Sequence, residues 1–322
     1  AVTDALPEIE DLCFLEVPKV FSLKGSVVTP AMMLELSRAV QRVLIRPEVS
    51  GVVVTQPADN IEETAYFVSI SLSDVFQNQN SKPIVFTTCM NPEDPMFDGT
   101  KNLLDSIRVA CHDVKGDIST VVVCMNGEIH AASRAQLTHT NKASALASPG
   151  WGPVGYVDRD NVYFRCGALE LDTGLNFPML KKLTAKVPVV KAMCGDDGAL
   201  LEMFLEKEPD AIIVEGFGRG NLPAGMMPAI KKAVKKGIFV VISTRASSGR
   251  VLDSTVFPGS VAQCLECGCL LAGETTTSKA RLLLMYVLSQ KEAIQLKKED
   301  PERFFAYVQE CLDPVLTNRL FG

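Results

Sequence analysis

The chain has 322 residues, 47% of them hydrophobic, and a formal net charge of −6 with acids and bases interspersed. This length allows one large domain or two medium ones, and the apolar content is ample for a packed core. The charge pattern contains no basic stripe to neutralise phosphates, and no apolar run approaches the ~20 residues of a membrane span, so neither nucleic acid nor a membrane is an expected partner.

The first half of the chain predicts parallel strands joined by helices. Short, β-branched runs predict buried strands, and Thr29 before Pro30 is a typical helix start, with the threonine as cap and the proline at the first helical position. Alternation of strands and helices implies crossover connections between parallel strands. The predicted strands are 51–55, 83–87 and 120–125, and the predicted helices are 30–44, 61–76 and 103–111.

The alternation weakens around residues 157–186. Residues 158–161 (DRDN) are a hairpin turn signal, and residues 171–176 predict a loop. We therefore interpret residues 166–186 as a linker between an N-terminal domain, residues 1–165, and a C-terminal domain, residues 187–322.

The second half predicts another α/β unit. A last helix is expected to start at Asp300-Pro301, where proline and first-turn acids match a helix N-terminus. Glycines in residues 216–220 lack the spacing of a dinucleotide or Walker loop, so no nucleotide cofactor is expected. The predicted strands are 187–193, 211–215 and 239–243, and the predicted helices are 199–207, 228–236 and 278–288.

Ten scattered cysteines suit a reducing cytosol better than a disulfide framework. Residues 264–269 (CLECGC) contain a CxxC, but they have no second pair and no nearby histidine, so we expect a core strand there rather than a zinc or redox site. No metal is predicted. Residues 1–8 also lack the basic and apolar regions of a signal peptide, unless one has been removed, and we expect a cytoplasmic protein.

Asp59 is the strongest candidate for ligand contact. It lies in residues 55–67 (TQPADNIEETAYF), directly after the apolar run 51–54 and at the start of a predicted helix. Ligands of open α/β sheets bind at the carboxyl ends of the strands, although a carboxylate here could instead cap the helix. Glu62 and Glu63 are interpreted as first-turn acids that the helix dipole favours.

Residues 55–67 also resemble the second signature of the bacterial-type L-asparaginases, and further resemblances in the same order cover nearly the whole chain. The resemblance implies two α/β domains, the first with a larger, doubly wound, mainly parallel sheet and the second with a smaller parallel sheet. It also implies a homodimer or homotetramer that takes a small-molecule, amino-acid-like ligand. The other similar blocks are residues 82–87, 98–104, 121–132, 138–140, 148–156, 216–223 and 243–251. The resemblance implies that the glycines of residues 216–220 form a turn before a helix.

The family's amide chemistry falls on altered positions here. The resemblance places the family's second catalytic threonine at Ala58, its lysine at Leu137 and its carboxylate-binding serine at Gly25, beside Ser26. The family's aspartate that holds the substrate α-ammonium is present as Asp59. A hydroxyl nucleophile needs an activating partner, and alanine and leucine supply neither a nucleophile nor a proton relay.

The family's N-terminal Thr-Gly-Gly-Thr segment has no counterpart in the sequence. In the family it contains a central strand, and removing a central strand leaves backbone groups unpaired. We expect a separate peptide, another chain or a rearranged sheet to take its place, or the chain to be a processed or incomplete version.

Cys89 follows the predicted strand 83–87 near the same site. A thiol is intrinsically more nucleophilic than a hydroxyl, so Cys89 is a speculative nucleophile. A nucleophilic cysteine needs a base, and the sequence places none of His112, His130 and His139 to serve as one. The alternative is that Cys89 only lines the core or the pocket.

The sequence thus leaves two functions open, and whether the protein is an enzyme is undecided. The first is a scaffold that has lost threonine amidohydrolysis and binds a small ligand, with altered chemistry or a structural role. The alternative is an active amidohydrolase with a rewired site or a separately supplied threonine.

Overall fold

The computed structural model divides the chain into two compact units, one ending at Met179 and the other starting at Leu180. The boundary lies inside the predicted linker, residues 166–186. The structure describes residues 7–21, 27–78, 82–90, 98–112, 121–165, 176–252 and 255–313.

Within the described residues, the first unit contains a six-stranded sheet and a two-stranded one, with helices on both sides of the larger sheet. The helices are α1 (Pro30–Leu44), α2 (Ile61–Ser71), α3 (Ser73–Asn78) and α4 (Gly99–Cys111). The strands are β1 (Val52–Thr55), β2 (Ile84–Thr87), β3 (Val121–Met125), β4 (Glu128–Ala131), β5 (Gln136–Leu137), β6 (Leu146–Ala147), β7 (Gly155–Asp158) and β8 (Asn161–Phe164).

The large sheet has the strand order β1-β2-β3-β4-β7-β8, and it is mixed rather than mainly parallel. Strands β1, β2 and β3 are parallel neighbours, whereas β4, β7 and β8 are antiparallel. The direction reverses after β3 because Asn126 and Gly127, both at positive φ, form a two-residue hairpin turn. The predicted turn at residues 158–161 is confirmed, since Asp158 and Asn161 are paired across the β7–β8 hairpin.

Alternate side chains of the parallel strands pack under helices on opposite faces of the sheet. Ile84 and Phe86 belong to a core cluster that includes Val68 of α2, whereas Val85 packs with Val109 of α4. This arrangement confirms the predicted doubly wound architecture. The described residues place no strand beyond β1, whose valines are half-buried while β2 and β3 are fully buried.

Helix boundaries follow local chemistry, with one correction. Thr29 caps α1 by accepting a hydrogen bond from the Met32 amide at 3.3 Å, as predicted. The single helix expected over residues 61–76 is instead interrupted at Leu72. The Ser73 hydroxyl donates to the Ile70 carbonyl at 2.9 Å, a local side-chain bond that competes with helix continuation.

The second unit contains a four-stranded, all-parallel sheet with the order β12-β11-β10-β9, which confirms the predicted C-terminal fold. None of the helices in the described part of the chain is long and apolar enough to cross a membrane. The strands are β9 (Val189–Lys191), β10 (Ala211–Gly216), β11 (Phe239–Thr244) and β12 (Leu270–Leu271). The helices are α5 (Ala199–Leu205), α6 (Met227–Lys235), α7 (Val261–Glu266), α8 (Thr277–Val287), α9 (Lys291–Glu299) and α10 (Pro301–Leu312).

The CxxC segment was predicted as a core strand, and the structure corrects this. Cys264 lies in α7, which Ser260 caps by accepting from the Gln263 amide at 3.2 Å, and Gly268 at φ +88° ends the helix. The glycine-rich residues 216–220 form the predicted turn ahead of α6.

Candidate functional site

The candidate site lies where the parallel strands β1 and β2 end. After Thr55, Gln56 and Pro57 lead into a 3-10 turn, Ala58–Asn60, which continues directly into α2. Thr55 is in register with Thr87 of β2, so the segment after β1 and the segment after β2 leave the sheet at the same edge. This edge is the place where open α/β sheets bind ligands.

Asp59 is exposed in the 3-10 turn, one residue after the half-buried Ala58. Its carboxylate therefore faces solvent at a helix start, where a cationic group can reach it. Glu62 and Glu63 lie in the first turn of α2, as predicted. The predicted carboxylate-binding positions, Gly25 and Ser26, lie outside the described residues.

Leu137, where the resemblance places the family's lysine, is hydrogen-bonded to a carboxylate of α2. Glu62 Oε2 accepts a hydrogen bond from the Leu137 amide at 2.6 Å, across 75 residues of sequence. Glu62 thus has a specific partner in addition to its position near the helix dipole. The contact places Leu137, a half-buried residue of β5, beside the helix start that follows Asp59.

Gln56 braces the same turn, a role that the sequence analysis missed. Its side-chain amide lies 3.3 Å from Thr64 Oγ1 and 3.4 Å from Asn60 Oδ1, while the Thr64 hydroxyl donates to the Asn60 carbonyl at 3.1 Å. These bonds connect the strand exit to the first turns of α2. The signal in the sequence was a polar amide one residue after a buried strand.

Cys89 is half-buried two residues after β2. Burial, together with the nearby Asp98 carboxylate, raises the pKa of its thiol. A raised pKa disfavours the thiolate form that a nucleophilic cysteine needs. The surroundings of Cys89 therefore fit a pocket-lining residue better than a nucleophile.

Asn102 of α4 holds together the chain segments that follow β2 and β3. Its buried side chain donates to the Thr88 carbonyl at 2.9 Å and accepts from the Asn126 amide at 2.9 Å. One amide of α4 thus ties the exit of β2 to the hairpin that follows β3. Because these partners are 14 and 24 residues away in sequence, spacing alone did not reveal the contact.

His130, which the sequence did not place as a base for the site, makes a buried polar contact. His130 of β4 lies with Nδ1 2.9 Å from Ser148 Oγ and with Nε2 3.4 Å from Glu128 Oε2. Burial lowers the pKa of His130, and this effect outweighs the nearby Glu128 carboxylate. The imidazole is therefore kept neutral inside the unit.

The second unit has its own polar cluster at the carboxyl ends of its parallel strands. Glu215 of β10 contacts Lys191 of β9 at 2.9 Å and accepts from Thr277 Oγ1 at 2.7 Å, and Thr277 lies 3.0 Å from Ser243 Oγ of β11. The Thr277 hydroxyl, at the first residue of α8, thereby links the start of that helix to Glu215. No three His, Cys, Asp or Glu side chains among the described residues are arranged to hold a metal ion.

Comparisons with known proteins cover both units. Residues 1–168 match the family model described as "Asparaginase, N-terminal", and residues 186–299 match the "Glutaminase/Asparaginase C-terminal domain".

Individual relatives support the same grouping. An L-asparaginase of Bacillus licheniformis is 30% identical over 300 residues, covering 90% of this chain and 89% of that protein. A glutaminase-asparaginase of Pseudomonas aeruginosa is 28% identical over 252 residues, covering 76% of this chain and 66% of that protein. The crystal structure of a probable cytoplasmic L-asparaginase from Campylobacter jejuni superposes with a TM-score of 0.81 at 26% identity, covering 95% of this chain and 92% of that one.

Proposed function

Because this chain belongs to the asparaginase family, we propose that it uses the family scaffold to bind a small amino-acid-like ligand at Asp59 without the threonine and lysine chemistry of amide cleavage. A repurposed enzyme with different chemistry at the same site falls within this proposal, whereas threonine-based hydrolysis does not.

The hydrogen bond between Glu62 and the Leu137 amide carries the proposal. The resemblance assigns the family's lysine to Leu137, and this contact holds Leu137 next to the start of α2, where an aliphatic side chain offers no amine. The threonine position, Ala58, is likewise apolar. Removing one key member of such a catalytic set costs on the order of 10⁴–10⁶ in rate, and the resemblance assigns two such members to Ala58 and Leu137.

Asp59 supports the binding half of the proposal. An exposed carboxylate can form a charge-assisted hydrogen bond with a ligand ammonium, worth about 1.5–3 kcal/mol. Ala58 and Leu137 add apolar surface, which favours a ligand with an ammonium group and a small aliphatic portion over one that must present an amide for cleavage.

The first experiment measures ammonia release from L-asparagine and L-glutamine by the purified full chain. We expect no turnover above the buffer blank. Rapid hydrolysis of either amide would overturn the proposal in favour of the second candidate, an active amidohydrolase. The relative named L-asparaginase at 30% identity is the observation that keeps this candidate open.

A second experiment separates binding from catalysis. Calorimetry with L-asparagine, L-aspartate and simple aliphatic amino acids should detect a ligand whose affinity falls roughly 10- to 100-fold in Asp59→Asn, the loss of one charge-assisted bond. The matched control is Asp11→Asn, which alters an exposed carboxylate elsewhere in the first unit. Equal affinity in the two variants would exclude Asp59 as the anchor.

Restoring the threonine and lysine tests whether Ala58 and Leu137 account for the absence of amidase activity. The double substitution Ala58→Thr with Leu137→Lys returns a hydroxyl and an amine to the positions that the resemblance assigns to them. Gained amidase activity would locate the loss at these two residues, and unchanged inactivity would show that the rest of the pocket has also been remodelled.

We also propose that the protein is a cytoplasmic homodimer or homotetramer, as the family resemblance implies. Light scattering on the purified chain, combined with fractionation of source cells, tests this proposal. A monomer at micromolar concentration would contradict the assembly.

A further inference from the structure

Strand β8 forms one edge of the large sheet, and its outer side carries backbone groups available for pairing. The Arg165 amide, directly after β8, donates to the Val154 carbonyl, directly before β7, at 2.9 Å. Because backbone groups alternate between the two sides of a strand, those of Tyr163 also point to β7, whereas those of Val162 and Phe164 point away from it. The described residues place no strand on that outer side.

This edge lacks the features that usually keep an edge strand from pairing with another chain. Residues 161–164 (NVYF) contain no charged side chain and no proline, and no bulge interrupts their pairing with β7. Val162 and Phe164 are half-buried and pack into the apolar cluster that includes Val85 and Val109. The strand therefore presents a regular, uncharged edge with an apolar face on one side.

An exposed aromatic pair lies on the other face of the β7–β8 hairpin. Tyr156 of β7 and Tyr163 of β8 are 46% and 44% exposed, and their rings stack with centroids 5.1 Å apart. Tyr163 thus has an aromatic neighbour on the β7 side. A strand added to the outer side of β8 would bring a second neighbour to the same ring.

We propose that β8 is the contact surface between two copies of this chain, which pair antiparallel about a two-fold axis at Tyr163. This inference rests on the homo-oligomer proposed above and names its surface. Antiparallel pairing requires outward-pointing residues to oppose each other, and the register that puts Val162 opposite Phe164 of the second copy satisfies this twice, by symmetry. Each such pair exchanges two N–H···O bonds, and the two six-stranded sheets become continuous.

The same register is complementary in its side chains. It puts the two copies of Tyr163 opposite each other as a non-hydrogen-bonded pair, the closer kind, so the stack with Tyr156 continues into the second copy. It also puts the exposed Arg165 opposite Asn161 of the second copy, which is paired with the exposed Asp158 on the same face. A positive side chain therefore meets a carboxylate-bearing hairpin tip at each end of the contact.

The first test removes a backbone donor. Val162→Pro deletes an outward-pointing amide and leaves the bonds to β7, a change that an edge strand tolerates. Each copy loses one inter-chain bond, so the dissociation constant from analytical ultracentrifugation should rise roughly 10- to 100-fold. Val162→Ala is the matched control, because it shortens the same side chain but keeps the amide, and its dissociation constant should stay near that of the native chain. Circular dichroism verifies that both variants fold.

The second test locates the axis and does not depend on the proline variant. Tyr163→Cys puts two thiols opposite each other at about 4.5 Å between Cα atoms, which is within disulfide range, so mild oxidation should yield a linked dimer. Tyr156→Cys, on the same face but one strand further from the edge, is the control and should not be linked. The native chain, oxidised in parallel, gives the background from its own exposed Cys111 and Cys194.

The outcomes separate this contact from the assembly itself. A native chain that is monomeric at micromolar concentration would overturn both the homo-oligomer and the β8 contact. A dimer or tetramer that Val162→Pro leaves intact, and that Tyr163→Cys does not link, would overturn the β8 contact alone. Equal weakening by Val162→Pro and Val162→Ala would also contradict it, because the backbone pairing would then contribute nothing.

Discussion

At the scale of single residues, Glu62 combines two stabilising effects. It lies in the first turn of α2, where the helix dipole favours a negative charge, and it accepts the Leu137 amide at 2.6 Å. The first effect followed from the sequence, because first-turn acids are a local pattern. The second did not, since the partner lies 75 residues away.

Glu62→Ala should lower the free energy of unfolding of the first unit by about 1.5–3 kcal/mol, because a half-buried amide loses its charged acceptor. Urea denaturation followed by circular dichroism measures this loss. The matched control is Glu62→Gln, which keeps an acceptor oxygen without the charge and should lose less than half as much. Equal losses would indicate that the amide contact contributes little beyond the helix dipole.

His130 makes stability depend on pH. Its pKa is lowered in the folded protein, while the unfolded chain has an ordinary histidine pKa of about 6.5. Below about pH 6.5 the unfolded state therefore binds more protons than the folded state. The contribution of neutral His130 to stability is complete above that pH and is lost as the pH falls toward the lowered folded value.

His130→Asn should flatten the fall in unfolding free energy as the pH drops below about 6.5, removing a slope of up to ~1.4 kcal/mol per pH unit. Urea midpoints across this range measure it. His139→Asn, which removes an exposed histidine, is measured beside it as the comparison variant. Parallel curves for the native protein and His130→Asn would rule out a buried neutral histidine as the cause.

At the scale of elements, local chemistry fixed most helices and strands, and the errors have local causes. The Asn126-Gly127 dipeptide is a hairpin signal, and the turn that it forms after β3 makes the sheet mixed where the resemblance implied a mainly parallel one. A single helix was predicted over residues 61–76 because the apolar residues continue past Leu72. A side-chain bond from Ser73 ends the helix in spite of that pattern.

Gly51 allows α4 to approach β1 closely. A Cβ atom on Gly51 would lie 2.2 Å from the Ala110 carbonyl oxygen, a backbone atom that has little freedom to move. Gly51→Ala should therefore cost about 2–3 kcal/mol of unfolding free energy through overpacking. Gly195→Ala is the comparison, with no atom within 4 Å and a cost of about 1 kcal/mol from its positive φ. Equal thermal shifts would contradict the close approach.

At the scale of the whole molecule, each unit has its own core. One core cluster of the second unit is built from residues between Val190 and Leu271, and helix α10 packs against the edge strand β12. Gln309 performs this role, because its side chain both accepts from the Leu271 amide at 2.9 Å and donates to the Leu271 carbonyl at 3.0 Å.

A fragment of residues 180–322 should therefore fold alone with a cooperative thermal transition, whereas a fragment of residues 180–299, which lacks α10, should not. Circular dichroism and calorimetry of the two fragments measure this difference. Two equally cooperative transitions would show that α10 is dispensable, and a molten longer fragment would show that the second unit depends on the first.

The sequence by itself determined the two α/β units, the parallel strands and the position of Asp59 at a strand exit. These features rest on hydrophobic periodicity, caps and turns, which act between residues close in the chain. Tertiary structure alone decided which distant groups meet: Glu62 with Leu137, and Glu215 with Thr277 across 62 residues. Pairs of this kind depend on how packed elements align, and no local pattern encodes that alignment.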